Sequence, residues 1–506
     1  MPHIDARDDG EGVVFPVERD GRRSTSATGR AIFADALRAV DPDAAAKAER
    51  ERNWRARYLV HARRLVDHGA ASSAAANAMA AAGLRSAQRR LQFARGGEVH
   101  TLESALEHPR GRLHAHTVAG ISKAGPAPVA VPYRGQMLSG DALRRQIDRW
   151  EADGVVEPSF AQALWRVQAH PEWLDLSDQR FALLGARAEM GPLPYLLRWR
   201  ATVYAVDLPR PEVWQPMLRL AHAGNGALYA PRAEPPDAGG GNDLARCVGA
   251  DLVRDAPEIA AWLAEADAPL VVGAYAYLDG AQHVRVAAAM DAIQAALAAR
   301  RGDTTLAMLA TPTDAYAVPT AALRAAHERF ARRGRAARAL RLATFGRAFE
   351  RNGVPLATQQ PTGDAAALAG IVDALIPQQG PNYVLAKRLQ QWRALVARQA
   401  GIRVSIHVAP PALTRSVTNN RVLAAAYRAA HRFGVETFEP ATAAALMAAL
   451  LVHDLRHPDA AANPGVELAH PLQLLAEAAC HGGLWRMPYA ARSALPMAGL
   501  LGLLNV

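Results

Sequence analysis

The sequence predicts an α/β fold with a doubly wound parallel sheet, and three features of its 506 residues support this class. Short apolar runs of the kind that form buried strands recur between residues 181 and 408. Segments with a helical pattern separate these runs, and such alternation is typical of parallel sheets with helical crossovers. Alanine-rich segments, which favour helices, precede this region, interrupt it and follow it.

Composition limits the class of protein. The two cysteines, Cys247 and Cys480, cannot build a disulfide framework, and no Cys-x-x-Cys pattern is present, so we expect a reducing, cytoplasmic location. The first residues contain no apolar signal region, and no run of about 18 apolar residues predicts a transmembrane helix. The net charge of +10 (58 basic minus 48 acidic residues) favours acidic ligands without identifying one.

Changes in composition divide the chain into four parts. Residues 1–30 are polar and aperiodic and predict a flexible tail. Residues 31–175 predict a mostly helical N-terminal domain, and residues 176–460 predict the α/β domain. Within the α/β domain, residues from about 317 to 378 predict a helical insertion. Residues 461–506 predict a C-terminal cap.

The first strand, turn and strand of the α/β domain have the spacing of a dinucleotide-binding unit. A strand ending at Gly185 enters a turn containing Gly191, and we expect a helix to about Trp199. A second strand ends at Asp207, 22 residues after Gly185. Glycines let the backbone approach a pyrophosphate, a helix N-terminus stabilises its charge, and the aspartate accepts hydrogen bonds from a ribose diol.

Further strands are predicted in order along the chain. They comprise residues 225–230, 269–276 and 304–310, and a Pro/Gly-rich insertion extending to Gly241 follows the first of these. A helix is expected from about His283. The third of these strands runs into the turn Thr311-Pro312-Thr313, where a hydroxyl could contact a substrate.

Tyr383 and Lys387 carry the chemistry that we expect of the site. They stand four residues apart in a helical segment, so their side chains lie on one face. A nearby ammonium is expected to lower the pKa of the phenol, which can then exchange protons with a carbonyl or alcohol. After Gly401 the helix is followed by a β-branched run that ends at Pro410.

This order of Tyr-x-x-x-Lys helix, strand and proline turn resembles the catalytic segment of the short-chain dehydrogenase/reductase superfamily. The resemblance covers about residues 180–458 and implies a Rossmann-like NAD(P)-binding domain. It implies that Tyr383 is the general acid/base, and that Lys387 lowers the pKa of Tyr383 and binds the nicotinamide ribose. It also implies that a hydroxyl in the turn, Thr313 in preference to Thr311, orients the substrate oxygen.

The same resemblance suggests a cofactor site, with departures from the superfamily pattern. Gly185 and Gly191 match the first and third glycines of Gly-x-x-x-Gly-x-Gly, but Glu189 occupies the second position. Asp251 matches the residue that holds the adenine ring, and Gly273 stands where the superfamily has Asn-Ala-Gly. Asp207 favours NAD over NADP, although Arg210 keeps NADP possible.

The predicted function is an NAD(P)-dependent oxidoreductase acting on the carbonyl or alcohol of a fairly large, partly apolar substrate. Two alternatives remain open. One is a regulatory or scaffold protein on the same fold without hydride transfer, and the other is a non-redox lyase or epimerase. A homo-oligomer is expected from the resemblance, and neither a nucleic acid nor a membrane-spanning segment is predicted.

Other patterns have simpler interpretations. His453 and His457 have a spacing that can hold a metal, but no third ligand is evident, and we predict no metal site. An arginine-rich segment between residues 324 and 341 is interpreted as a solvated helix face rather than a nucleic-acid site. For the apolar C-terminus, packing against its own fold or another subunit is favoured over a substrate lid or a membrane-surface anchor.

Overall fold

A computed structural model describes residues 10–19, 21–234, 244–356 and 367–504, which form fifteen strands and nineteen α-helices. The strands are β1 (Gly12–Val14), β2 (Gln92–Arg95), β3 (Glu98–Thr101), β4 (His114–Ala119), β5 (Ala130–Tyr133), β6 (Gln136–Ser139), β7 (Arg180–Leu184), β8 (Thr202–Val206), β9 (Ala227–Arg232), β10 (Leu270–Ala274), β11 (Thr304–Ala310), β12 (Ala315–Pro319), β13 (Val354–Pro355), β14 (Leu368–Asp373) and β15 (Arg403–Val408).

The α-helices are α1 (Thr25–Arg38), α2 (Pro42–Glu49), α3 (Trp54–Gly69), α4 (Ser73–Arg90), α5 (Leu102–Glu107), α6 (Gly140–Ala152), α7 (Pro158–Ala169), α8 (Leu193–Leu196), α9 (Pro211–Ala223), α10 (Ala256–Ala264), α11 (Gly280–Arg300), α12 (Thr320–Ala331), α13 (Arg335–Ala343), α14 (Gly380–Gln399), α15 (Arg415–Thr418), α16 (Arg421–Arg428), α17 (Pro440–Arg456), α18 (Gln473–Ala476) and α19 (Ala491–Leu503). None of these described helices is both long and apolar enough to cross a bilayer.

Seven strands form the main sheet in the order β15-β11-β10-β7-β8-β9-β4. Six of them are parallel, and β4 pairs with β9 in the antiparallel direction at one edge. The chain builds outward from β7 through β8 to β9, then returns to the other side of β7 and continues through β10 and β11 to β15. The fold is therefore α/β, and its strand order reverses between β7 and β10.

Helices pack on both faces of this sheet because alternate side chains of each strand point to opposite faces. Ala182 and Leu184 of β7 contribute to the core shared with α1, α4, α11 and α14. Phe181 and Leu183 contribute to the core shared with α7, α9 and α17. Strands buried on both faces have continuous apolar sequences. This is why the six parallel strands could be predicted, and they are present as β7, β8, β9, β10, β11 and β15.

Part of the predicted flexible tail has regular structure. Residues 12–14 form β1, which pairs with β2, and Val13 donates its backbone N–H to Val253 O at 2.9 Å. The helix α1 begins at Thr25, and the Ser24 hydroxyl accepts a hydrogen bond from Ala27 N as its N-cap. A three-residue strand is too short to show a pattern, and only its tertiary contacts reveal it. Residues 1–9 lie outside the described ranges, as do residues 235–243 of the predicted Pro/Gly-rich insertion.

The predicted N-terminal domain and the predicted insertion both contribute strands. The mostly helical residues 31–175 include β4, which lies at the edge of the main sheet beside β9. The insertion predicted to be helical, about 317–378, contains α12 and α13, and it also contributes to an antiparallel three-stranded sheet in the order β12-β14-β13. Leu368, Ile371 and Val372 of β14 are buried in the main core, a tertiary contact that the local sequence does not show. Residues 357–366 of the insertion lie outside the described ranges.

The helix expected to reach Trp199 is much shorter. It is α8, which ends at Leu196 after a single turn. Only Leu196 N and Leu197 N make i→i−4 bonds, to Pro192 O and Leu193 O. The i→i−3 bonds of Tyr195 N to Pro192 O at 3.0 Å and of Arg198 N to Tyr195 O at 2.9 Å flank them. Arg200 has a φ of +60°, which reverses the chain into β8.

The helix α14 is buried between the sheet and the N-terminal helices, where it packs against α1, α3, α4 and α11. Two buried ion pairs fix it in place. Arg388 Nη2 lies 2.6 Å from Asp314 Oδ1, and Arg393 Nε lies 2.7 Å from Asp291 Oδ1. Removing one partner of such a pair leaves a buried charge without compensation, so these pairs strongly disfavour any other placement of α14.

We expect Gly83→Ala to reduce the free energy of unfolding by about 1–3 kcal/mol, because overpacking forces neighbouring side chains to shift. Gly83 of α4 faces α14, and a Cβ built there would lie 2.4 Å from Cζ3 of Trp392. Helix propensity alone would favour alanine over glycine by about 1 kcal/mol, so the expected sign is opposite to that of propensity. Urea unfolding measures the difference.

Gly29→Ala in α1 is the matched control, because a Cβ there would first meet Cδ2 of Leu385 at 3.5 Å, an ordinary contact. It should leave stability unchanged or raise it by up to about 1 kcal/mol. Equal stability of the two variants would contradict the packing of α4 on α14.

Candidate functional site

Several of the residues predicted to act together lie at the carboxyl edge of the main sheet. In open parallel sheets, ligands bind in the crevice at this edge where the strand order reverses. Here β7 is followed by Gly185, β8 by Asp207, and β11 by the turn that contains Thr313. The reversal between β7 and β10 lies among them.

A cleft of about 220 Å³ opens at this reversal. Gly185, Asp207 and Asp251 line it, together with Tyr277 and Arg415. The cleft therefore brings together three of the predicted cofactor-binding residues. It also includes an arginine that the sequence analysis did not associate with the site.

Position 185 requires glycine, because of its backbone conformation and because of a close neighbouring segment. Its φ is +87°, and a Cβ built on it would lie 2.5 Å from the Cα of Ala276. The turn after β7 and the segment after β10 consequently approach each other closely at the base of the cleft. Gly191 and Gly273 are not among the residues that line the cleft. Gly273 lies inside β10, where the ring of Tyr275 leaves no space for a side chain.

Asp207 is held rigidly at the cleft wall. Its Oδ2 accepts a hydrogen bond from Arg187 N and its Oδ1 accepts one from Leu208 N, both at 2.9 Å. Burial raises the pKa of Asp207, and these two backbone N–H groups oppose the rise. Asp251 is also anchored, because its Oδ1 accepts from Val253 N at 2.8 Å. Both carboxyl groups line the cleft in fixed orientations.

Most backbone N–H groups of the turn after β7 donate hydrogen bonds to carbonyl oxygens of the protein itself. Gly185 N and Ala186 N donate to Val206 O at 2.9 and 3.1 Å. Ala188 N donates to Gly185 O at 3.0 Å, and Gly191 N donates to Ala188 O at 2.9 Å. The turn is followed by the single helical turn of α8 rather than by the longer helix that the sequence predicted. Positive charge at this end of the cleft therefore comes from arginine side chains more than from backbone dipoles.

Glu189, which replaces a glycine of the superfamily pattern, is paired with Arg415. Its carboxylate accepts hydrogen bonds from Arg415 N and Arg415 Nε, both at 2.9 Å. Arg415 begins α15 and also lines the cleft. The pair joins the turn after β7 to the segment after β15, and it compensates the negative charge that sequence reasoning expected to repel a pyrophosphate.

Tyr383 lies beside the cleft in an aromatic and hydroxyl-rich cluster. Its ring stacks on His283 with centroids 5.5 Å apart and meets Tyr277 edge-on at 6.0 Å. The Thr311 hydroxyl is hydrogen-bonded to Tyr383 and lies 3.0 Å from the Thr313 hydroxyl. The sequence analysis preferred Thr313 over Thr311 as the residue that orients the substrate oxygen, and in the structure Thr311 is the one that contacts the phenol. Gln379 Nε2 donates to Thr313.

Lys387 does not activate Tyr383 in the expected way. Its Nζ donates to Leu309 O at 3.3 Å and to Gln390 Oε1 at 3.0 Å. Burial lowers the pKa of Lys387 to about 8. Burial also raises the pKa of Tyr383 well above its ordinary value, and the hydrogen bond from Thr311 offsets only part of that rise. The expectation of a lowered phenol pKa was therefore wrong.

His283 completes the cluster and was missed as a site residue. Its side chain is buried in the first turn of α11, and burial together with the charge of Lys387 lowers its pKa. Among the described residues, its Nε2 has no hydrogen-bond partner. Tyr277, which was also missed, follows the carboxyl end of β10. That position in the strand order was the signal that could have identified it.

A second, apolar pocket of about 70 Å³ adjoins Thr313. Its walls include Ile376, Tyr427 and Phe433, with Met487 and Leu495 from the C-terminal part of the chain. Tyr427 lies close enough to Tyr383 for their interaction to raise the pKa of Tyr383 further. The hydroxyl cluster therefore lies between a cleft whose lining includes charged side chains and a pocket whose described lining includes none.

No metal centre is evident in the described ranges, which contain no group of three or more His, Cys, Asp or Glu residues able to hold an ion. His453 Nδ1 instead contacts Asp454 Oδ1 at 3.3 Å, and Asp454 Oδ2 lies 2.7 Å from His407 Nε2.

Comparison with protein-family models, curated proteins and solved structures finds no match to this chain.

We expect the stability of the wild type relative to Lys387→Met to rise as the pH increases from about 8 to about 10.5. The folded pKa of Lys387 is about 8 and its ordinary value is 10.5, so the unfolded chain holds more protons in this window. Each increase in pH therefore favours the folded wild type, while methionine has no proton to lose. Urea unfolding of both proteins across the window measures this change, and parallel pH profiles would contradict the lowered pKa of Lys387.

Proposed function

We propose that this protein is an NAD(P)-dependent oxidoreductase of the short-chain dehydrogenase/reductase type, acting on a neutral carbonyl or alcohol. The main support for the proposal is a contact between the cleft and the cluster around Tyr383. Tyr277 lines the cleft that contains Asp207, and its ring also touches Tyr383. A dinucleotide in the cleft would have its reactive end beside the phenol.

The strand order supports the proposal. The order β9-β8-β7-β10-β11-β15 corresponds to the 3-2-1-4-5-6 order of a Rossmann sheet, with β4 added at the edge. The cleft lies at the reversal point, where such sheets bind dinucleotides. Ala276 approaches Gly185 too closely for any side chain there, which agrees with a turn shaped for backbone proximity.

The carboxylates of the cleft would bind a dinucleotide as in the superfamily, but the contacts to its pyrophosphate would differ. Asp207 would accept hydrogen bonds from the adenosine ribose, and Asp251 would lie near the adenine. Arg187 lines the cleft and would supply positive charge for the pyrophosphate that backbone amides supply elsewhere, while Arg415 neutralises Glu189 so that it does not repel the pyrophosphate. Lys387 would hold the nicotinamide ribose. When bound, the cofactor would supply or accept the hydride.

The protonation states of the cluster favour reduction of a carbonyl. With its pKa raised by burial, the Tyr383 hydroxyl keeps its proton at physiological pH and can donate it to a carbonyl oxygen. Thr311, which is hydrogen-bonded to Tyr383, would orient that oxygen, and Thr313 would support Thr311. Removing a proton from an alcohol would be less favourable, because it requires the costly phenolate.

The substrate would be neutral and partly apolar. The pocket beside Thr313 is lined almost entirely by aliphatic and aromatic side chains. Its polar contributions are the neutral hydroxyls of Thr313, Tyr427 and Thr437. Burying a carboxylate there without a cationic partner would be costly, so a neutral aliphatic or alicyclic body is favoured.

A scaffold or regulatory role without hydride transfer is the second candidate. It is favoured by the turn after β7, where the N–H groups of Gly185, Ala186 and Gly191 bond within the protein. If that turn cannot rearrange, a pyrophosphate has few backbone donors. A lyase or epimerase would instead bind dinucleotide and show no net redox turnover.

We expect saturable NADH binding, measured by energy transfer from tryptophan, and a weakening of about tenfold or more in Asp207→Asn. The reason is that a charged hydrogen bond contributes about 1.5–3 kcal/mol. Asp267→Asn is the matched control, because Asp267 pairs with Arg180 at the opposite end of β7. Absence of binding at millimolar NADH and NADPH would exclude the oxidoreductase and favour the scaffold.

Tyr383→Phe should lower kcat for reduction of a medium-chain aliphatic ketone by about 10²–10⁴-fold, the usual contribution of a positioned acid. The Kd for NADH should be unchanged, since the phenol is not assigned to cofactor binding. Tyr229→Phe in β9 is the control with an equivalent loss of a hydroxyl. Full turnover in Tyr383→Phe would remove the assigned acid.

A further inference from the structure

The segment from Arg329 to Phe349 has an unusual charge. Its 21 residues contain seven arginines and no aspartate or glutamate. The centre of this segment is α13, none of whose residues is buried. A concentration of one sign of charge on an exposed helix attracts a partner of the opposite sign.

The two faces of α13 differ in their contacts. Ala337 and Leu340 pack on a small core formed by Phe349, Tyr489 and Ala494. Arg335, Arg338 and Leu342 are three or four residues apart in sequence and are exposed, so they share the outward face. The helix is thus fixed to the protein on one side and presents arginines around a leucine on the other.

Two large apolar side chains on this surface are almost fully in solvent. Leu342 is 80% exposed and Phe345 is 95% exposed. Phe345 follows the helix with a φ of +51°, a conformation that non-glycine residues seldom adopt. Arg341 donates to Gly346 O and Phe349 O, both at 3.1 Å, and so holds the turn that points Phe345 outward.

The exposed arginines are available to a partner. In the described ranges, no carboxylate lies within ion-pair distance of Arg335, Arg338 or Arg347. Arg332 is the exception, at 3.9 Å from Glu328. Apolar side chains flanked by unpaired arginines match the interface of an anionic bilayer, where lipid headgroups meet acyl chains.

The C-terminal helix α19 also has exposed apolar side chains. Met497 of α19 packs on the same small core as Ala337 and Leu340. Beyond it, Leu500, Leu503 and Leu504 are at least half exposed. A nucleic acid would gain little from these leucines, because bases stack on aromatic rings and not on aliphatic side chains.

We infer that the outward face of α13, together with Phe345, binds the surface of an anionic membrane. The helix lies in the plane of the headgroups, its arginines pair with phosphate and carboxylate groups, and Leu342 and Phe345 enter the acyl boundary. The surface is an attachment site and does not span the bilayer. It is independent of the proposed oxidoreductase activity.

Flotation with vesicles tests the inference, using phosphatidylcholine vesicles with and without phosphatidylserine. The full chain should float with the anionic vesicles only. Arg335→Gln/Arg338→Gln should weaken binding by about fivefold for each arginine, and so by about 25-fold together. Arg52→Gln/Arg55→Gln removes the same charge from exposed positions elsewhere and should leave binding almost unchanged.

The substitutions Leu342→Ser and Phe345→Asn distinguish binding to a membrane from binding to other polyanions. Both keep the charge, and asparagine tolerates the positive φ at position 345. Each should reduce vesicle binding, while Ile121→Ser, a control at an exposed apolar position, should not. Binding to anionic vesicles that is insensitive to both changes, preferential binding to duplex DNA or RNA, or absence of binding would each overturn the inference.

Discussion

The burial of α14 is the constraint on which the rest of the structure depends. This helix packs against the sheet below it and against α1, α3 and α4 above it. Polar groups in such a position must have partners, and Arg388 and Arg393 find theirs in Asp314 and Asp291. Asp314 follows the turn after β11 and Asp291 lies in α11. The two pairs therefore fix α14 relative to the elements that surround the candidate site.

The same burial determines the chemistry of the site. Desolvation penalises charge, so it raises the pKa of Tyr383 and lowers those of Lys387 and His283. The result is a cluster of mostly neutral hydrogen-bonding groups between two spaces of different polarity. Such a cluster suits a neutral substrate oxygen better than an ion. Tyr383 and Lys387 lie on one face of α14, but the ammonium of Lys387 does not lower the pKa of Tyr383.

The C-terminal part of the chain connects the two surfaces that we propose to be functional. Ala494 of α19 packs in the small core beneath α13, and Leu495 and Ala498 line the apolar pocket beside Thr313. On our proposals, a protein attached through α13 would hold its substrate pocket close to the lipid surface. An apolar substrate could then reach the pocket from the membrane with little exposure to water.

The six parallel strands could be predicted from sequence because burial on both faces leaves a continuous apolar run. The segments that contain Asp207, Thr313 and Tyr383 could be predicted for the same reason, since they follow such strands or precede one. Tertiary structure alone decided the length of α8, the strand β14 and the edge position of β4. The chain after α8 is held by Asn225, whose N donates to Leu197 O, and β14 and β4 pair with strands that are distant in sequence.

Tertiary structure also decided which atoms meet. From sequence, Glu189 is an anion in a phosphate turn, and only the fold brings Arg415 to it from 226 residues away. From sequence, Lys387 is the neighbour of Tyr383, but packing directs its ammonium to Leu309 O and places Thr311 and His283 against the phenol. Local pattern determines secondary structure through backbone geometry and burial. Hydrogen-bond partners and pKa values depend on distances that only the packed chain defines.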